Sequence, residues 1–160
     1  MIEFLKSTAI FSEDKQYRYV LTRVWKEPSN PILWIMLNPS TADEYQLDPT
    51  LTRCLNFSQD WNFSEMIICN LFSLRSTNPK NLYSHKNPIG PENLKYILEE
   101  SKRANMIMVG WGNHSNLDIN WRNNLLNSLN KSLYCLGRNK NGNPSHPLYK
   151  SSKLKPILYL

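Results

Sequence analysis

Four apolar runs, each followed at once by a compact polar motif, organise this chain. Ile32–Leu37 leads into Asn38-Pro39-Ser40-Thr41-Ala42-Asp43, and Met66–Cys69 into Asn70-Leu71-Phe72-Ser73-Leu74-Arg75. Met106–Val109 leads into Gly110-Trp111-Gly112-Asn113-His114. Leu133–Leu136 leads into Gly137-Arg138-Asn139-Lys140, with His146-Pro147-Leu148-Tyr149 close behind. Apolar runs of this kind mark strands buried on both faces. Between them the spacing turns helical. Asp48-Pro49-Thr50 offers a capping carboxylate and then proline at the first helical position. Leu51, Cys54, Leu55 and Ser58 then share a face that ends near Trp61-Asn62. Pro91-Glu92-Asn93 opens a second helix through Arg103, with Leu94, Ile97 and Leu98 on one side. Trp121, Leu125, Leu126 and Leu129 place a third helix over Asn120–Asn130.

Upstream, Tyr17–Trp25 alternates as a strand does, after a turn at Phe11–Asp14, so residues 1–30 read as an antiparallel preamble. Lys26–Pro31 and the Gly/Asn/Pro-rich Asn139–Pro147 are loops. Another loop-rich stretch runs from Asn78 to Pro91 with one helical turn inside it, and the tail ends in a short extended segment, Pro156–Leu160. The order predicts a single α/β domain over residues 1–160. It would have three α/β/α layers around a mostly parallel sheet of about four strands, with right-handed crossovers and an N-terminal antiparallel addition. In that arrangement all four polar motifs emerge on one sheet edge, where open α/β folds hold their ligands. They then form one composite site.

Composition narrows the class. The 160 residues, 41% apolar and 20% charged, suit one soluble globular domain, with no membrane-length apolar run and no signal-peptide pattern. The expectation is a cytoplasmic protein without membrane partners. Cys54, Cys69 and Cys135 are far apart in apolar contexts, which fits reduced core thiols. No metal or cofactor is expected: the chain has no CxxC pair, no Cys/His cluster, no P-loop, no GxGxxG and no nucleophile elbow. The net charge of +6 is uneven, since from Arg138 onward there are five basic residues and no acidic one. Such a surface favours phosphate-bearing partners, though a solvated basic tail has the same composition.

Each motif has a chemical reading and a plain one. The side chain of Asn38 can hold a carbonyl or a water. Pro39 stiffens the turn, and Ser40 and Thr41 add hydroxyls near backbone N–H groups able to nest an anion. The plain alternative is a strand-ending turn. Asp43 is a candidate general base or water holder, whereas Asp48 reads first as a helix cap. Asn70 offers donor and acceptor together, which suits a nucleobase edge. Arg53 and Arg75 can clamp a phosphate or carboxylate, or pair with Asp43, Asp48 or Glu92. Trp111 and Gly112 read as a pocket wall. His146, framed by Pro144 and Pro147, can donate to a developing oxyanion or shuttle a proton.

Taken together these motifs resemble the bacterial domain of unknown function 1643 family. The elements that carry the likeness are Met36–Asp43, Asp48-Pro49-Thr50 with Arg53, Asn70-Leu71-Phe72 with Arg75, Gly90-Pro91-Glu92-Asn93, Trp111-Gly112, and Gly142-Asn143-Pro144 with His146–Tyr149. Their order is also distantly similar to that of the uracil-DNA glycosylase superfamily. That likeness implies a glycosylase-like parallel α/β fold. It aligns Asn38-Pro39 with a catalytic motif after the first core strand, Asn70 with the base reader and His146-Pro147 with the motif that stabilises the departing base. Leu37 stands where that superfamily usually has glycine, Asn38 replaces the carboxylate of its most active members, and the iron–sulfur cysteines of some members are absent. If the protein is an enzyme, the expected reaction is N-glycosidic hydrolysis. Asn38 or Asp43 would then position water, Trp111 or Phe72 would stack on the base, and His146 would stabilise the leaving anion. The expected partner is a nucleobase-containing small molecule or a single-stranded or flipped nucleic acid. Two other classes stay open: a non-catalytic nucleotide-binding or nucleic-acid-binding module, and an enzyme for a phosphorylated or carboxylated metabolite held by Arg53 and Arg75.

Overall fold

The computed structural model describes residues 3–160, except for the side chains of Ser115 and Asn116. Its strands are β1 (Lys6–Phe11), β2 (Arg18–Val24), β3 (Pro31–Met36), β4 (Glu65–Asn70), β5 (Met106–Val109), β6 (Leu133–Cys135) and β7 (Ile157–Leu158). Its α-helices are α1 (Pro49–Asp60), α2 (Asn81–Ser84), α3 (Asn93–Arg103) and α4 (Ile119–Ser128), the last preceded by a 3-10 turn at His114–Asp118. The strands form one sheet in the order β1-β2-β4-β3-β5-β6-β7.

The sheet corrects the expectation of about four strands, because it has seven and is mixed. The four apolar runs are its parallel centre, with β3 paired to β4 and β5, and β5 to β6. Antiparallel β2 then pairs with β4, β1 with β2, and β7 with β6. Side-chain alternation divides the core between two faces. Ile32, Trp34, Met36, Met66, Ile68 and Met108 pack with Leu51, Cys54, Leu55 and Phe57 of α1. On the other face Leu33, Ile35, Ile67, Cys69, Ile107 and Val109 pack with Ile97 of α3 and Leu125 of α4.

Local chemistry sets the ends of α1. Asp48 accepts the Leu51 N–H at 2.9 Å and Pro49 fills the first turn. Asn62, just past the C-cap Trp61, takes the left-handed φ of +65°. The helix is fixed to β3 by the Trp34 indole, which donates to Ser58 Oγ at 2.9 Å and stacks on Trp61 with ring centres 5.8 Å apart. From β3 the chain crosses under α1 to β4. It then returns beneath α3 to β5 on the far side of β3. The connections leaving β3 and β5 therefore run in opposite directions, and a crevice opens at the carboxyl ends of these neighbours.

Candidate functional site

Backbone hydrogen bonds lace the strand-end loops together at that crevice. The N–H groups of Leu71 and Phe72, after β4, donate to Met36 and Leu37 at 2.9 Å each. Ser76 donates to Pro39 at 2.8 Å, and Gly112, after β5, donates to Pro144 at 3.1 Å. Gly112 takes φ of +70°, and a Cβ there would stand 3.6 Å from His146 Cβ, so the two loops lie against each other. The result is a cleft of about 680 Å³, within the range of small-molecule sites.

Asn38, Pro39, Ser40, Thr41, Asn70, Trp111, Gly112 and His146 all line this cleft, so the motifs do form one composite surface. Asn38 is held there by its own amide nitrogen. Nδ2 donates to Ser76 O at 2.9 Å and Pro39 O at 3.0 Å, with Leu74 O further off at 3.4 Å. These bonds clamp the β3 loop to the β4 loop and leave Oδ1 as the side chain's free acceptor. Asn70, at the end of β4, is 1% exposed and its Nδ2 has no hydrogen-bond partner. Trp111 is equally buried, its Nε1 is likewise unpartnered, and its ring meets Tyr159 edge-on.

His146 is half-buried. Its Nδ1 accepts the Leu148 N–H at 3.2 Å, so the neutral ring carries its proton on Nε2. Burial lowers the imidazole's pKa below 6.5 and Asp48 partly opposes the shift, so the neutral donor is favoured. Asp48 is the carboxylate among the described residues that line the cleft. One of its oxygens caps α1 and the other has no protein partner.

Four expected site residues lie elsewhere. Asp43 does not line the cleft: its Oδ1 accepts the N–H groups of Tyr45 at 2.8 Å and Gln46 at 2.9 Å, an Asx-type turn that lowers its pKa and fixes the loop. Phe72 is fully buried in the core, where an aromatic ring gains most from leaving water, and its N–H donates to Leu37 O. Arg53 sits in the adjoining groove with Leu148 and Tyr149, donating to Lys150 O and lying 4.9 Å over the Phe57 ring. Arg75 donates to Lys15 O at 3.1 Å and lies 4.8 Å over Phe11. Neither arginine lines the cleft, so the anion clamp expected of the pair is not assembled there.

Other residues take their place. Arg18 at the start of β2 lines the cleft, as do Ser76, Thr77, Asn113, His114 and Asn139. In the sequence Arg18 looks like the solvated face of an alternating strand. Its position follows from β2 running antiparallel to β4, which brings the start of one strand to the end of the other. Cys54, Cys69 and Cys135 are buried and unpaired, and burial pushes all three thiols up. Among the described residues no cluster of three or more His, Cys, Asp or Glu side chains is placed to hold a metal ion. No helix there is long and apolar enough to cross a membrane.

Fold and cleft together define an open α/β domain with a small-molecule-sized site at its topological switch point. Residues 18–148 match the model of a family described as a protein of unknown function, DUF1643, and the chain belongs to that family. No curated protein and no solved structure matches it.

Proposed function

We propose that the cleft binds a nucleobase-bearing ligand and hydrolyses the N-glycosidic bond to the base. The observation that carries this reading is the Asn70 carboxamide, which is 1% exposed, lines the cleft and has no partner for its nitrogen. An unpaired buried amide costs about 1–3 kcal/mol, which a ligand recovers by pairing with it. A carboxamide presents a donor beside an acceptor, the complement of a nucleobase edge.

The rest of the lining supports cleavage as well as binding. Nε2–H of His146 donates to a base oxygen that gains charge as the C–N bond breaks and its electron pair passes to the base. The free oxygen of Asp48 and Oδ1 of Asn38 are the acceptors available to orient the attacking water, whose oxygen bonds to the sugar carbon and whose released proton passes to the departing base anion. The charge on Asp48 also favours the cationic sugar that develops. Among the described residues no strong, unengaged base stands in the cleft. The bond is therefore already labile, as in a modified or damaged base or a free nucleotide. The order Asn38-Pro39, Asn70, His146-Pro147 supports a glycosylase-like arrangement by analogy with the uracil-DNA glycosylase superfamily.

The test is release of free base, followed by chromatography, from nucleosides, nucleotides and oligonucleotides carrying modified bases. Wild type is expected to release at least one base. His146→Ala should lower the rate by about a hundredfold, the scale of a lost oxyanion donor, and Asn70→Ala should weaken binding of the base by about tenfold, the scale of a lost buried pairing. Asp48→Asn retains the helix cap and is expected to lose turnover. If wild type binds bases but releases none, hydrolysis is refuted and a non-catalytic binding module is the reading that remains.

A further inference from the structure

We infer that the ligand carries a terminal phosphate held by Arg18, which makes its class a nucleoside monophosphate; the base half of this assignment rests on the function proposed above. Arg18 is 1% exposed and lines the same cleft as Asn70. A guanidinium has five N–H donors in a fixed fork. Here Nη1 donates to Ala42 O at 3.0 Å and Nε has no partner. Among the described residues the ion pairs are those of Arg103 with Glu65 and Glu100, so Arg18 has no carboxylate against it. A buried charge in that position costs several kcal/mol, and an arriving anion removes the penalty.

The surroundings favour an anion of phosphate geometry. Burial lowers the Arg18 pKa to about 10, so the group stays charged at neutral pH. Asp48 offsets the shift, while Arg75 and Arg23 add to it and to the positive potential at this end of the cleft. Both of those arginines donate to backbone carbonyls: Arg23 to Thr22 and Asp43, and Arg75 to Lys15. Thr50 also lines the cleft, at the second position of the twelve-residue α1. Its N–H is among those a helix start leaves without an intrahelical acceptor. The arginine fork matches phosphate oxygens in pairs. The depth of Arg18 selects a chain end, because an internal phosphodiester must lead out of the cleft on both sides.

Calorimetric titration of the full chain with common nucleosides, their 5′-monophosphates and ribose 5-phosphate tests this. Each monophosphate that binds is expected to bind at least about tenfold tighter than its nucleoside, the least that a charge-assisted hydrogen bond contributes. Arg18→Gln should abolish that difference, and Arg18→Lys should restore part of it. The wild-type comparison needs no variant, so it stands even if Arg18→Gln fails to fold. Equal affinity for nucleoside and monophosphate overturns the assignment, as does a phosphate preference that survives in Arg18→Gln. Ribose 5-phosphate bound through Arg18, with no gain from any base, supports the phosphate site and sinks base binding. An oligonucleotide that binds more tightly than every monophosphate, with affinity falling steeply with salt, overturns the terminal phosphate.

Discussion

Replacing Asn38 separates its structural role from any chemical one. Its Nδ2 makes two well-formed bonds, to Ser76 O at 2.9 Å and Pro39 O at 3.0 Å. At about 1 kcal/mol net each, the clamp contributes about 2 kcal/mol, less what water recovers in a half-buried site. Asn38→Ala is therefore expected to lose about 1–2 kcal/mol in urea unfolding. In a domain of this size that lowers Tm by about 2–8 °C. Asn38→Asp should be worse at neutral pH, since it sets an ionised acceptor against backbone carbonyls that need a donor. Protonation lets that carboxyl donate, so its folded-state pKa lies above the unfolded value of about 3.9. The extra loss is thus absent below that value and grows as pH rises through the folded pKa. Paired unfolding curves for the two variants and wild type, from pH ~7 down to ~4, give both quantities. If Asn38→Ala stays within about 0.5 kcal/mol of wild type, the clamp argument fails. It also fails if Asn38→Asp matches Asn38→Ala at neutral pH.

Two further outcomes follow from the geometry. Gly90 has φ of +91°, and a Cβ there would lie 2.1 Å from Ser73 Oγ, which donates to Ile89 O at 2.6 Å. Gly90→Ala should therefore cost about 3 kcal/mol in backbone strain and a broken hydrogen bond. Gly142→Ala, at φ of +84° with nothing within 4 Å, should cost about 1 kcal/mol; equal losses in urea unfolding would refute the steric account. The His146 imidazole should titrate below 6.5 by NMR, because burial lowers its pKa. Its stabilising contribution, measured against His146→Gln, is then complete above the unfolded value near 6.5 and lost as pH falls through the folded pKa. Titration above 6.5 would contradict this.

What could be read from the chain followed the range of the forces involved. The start of α1 is local chemistry, a carboxylate three residues before the N–H it accepts, and Asp48-Pro49 announces it. The parallel centre was legible for a similar reason, since strands covered on both faces write themselves as unbroken apolar runs. The sheet's width was not. β7 is two exposed residues that pair with β6, and Leu133 N–H reaching Leu160 O at 2.8 Å holds the tail in place. The tail reads as extended over Pro156–Leu160, but a two-residue strand carries no periodicity that would assign its pairing, which the tertiary contact with β6 supplies.

The same distinction runs through the cleft. Asn38, Asn70, Trp111 and His146 were legible because each lies within a residue or two of a strand end, or in the loop that returns to one, and the sheet edge brings them together. Proximity in sequence to those motifs was not enough, as Asp43 and Phe72 demonstrate. Each sits inside a motif, yet a local turn takes one side chain and the core takes the other. Arg18 is the converse, remote from every motif and deeper in the cleft than most of them. In the sequence it is one of two arginines in β2, alongside Arg23. It gains meaning only once that strand is known to be internal and antiparallel, with no carboxylate in ion-pair contact with the charge and Asp48 acting on it only at longer range. A buried cation in no ion pair is the feature a folded structure can show and a sequence cannot, and here it lines the same cleft as a carboxamide whose nitrogen also lacks a partner.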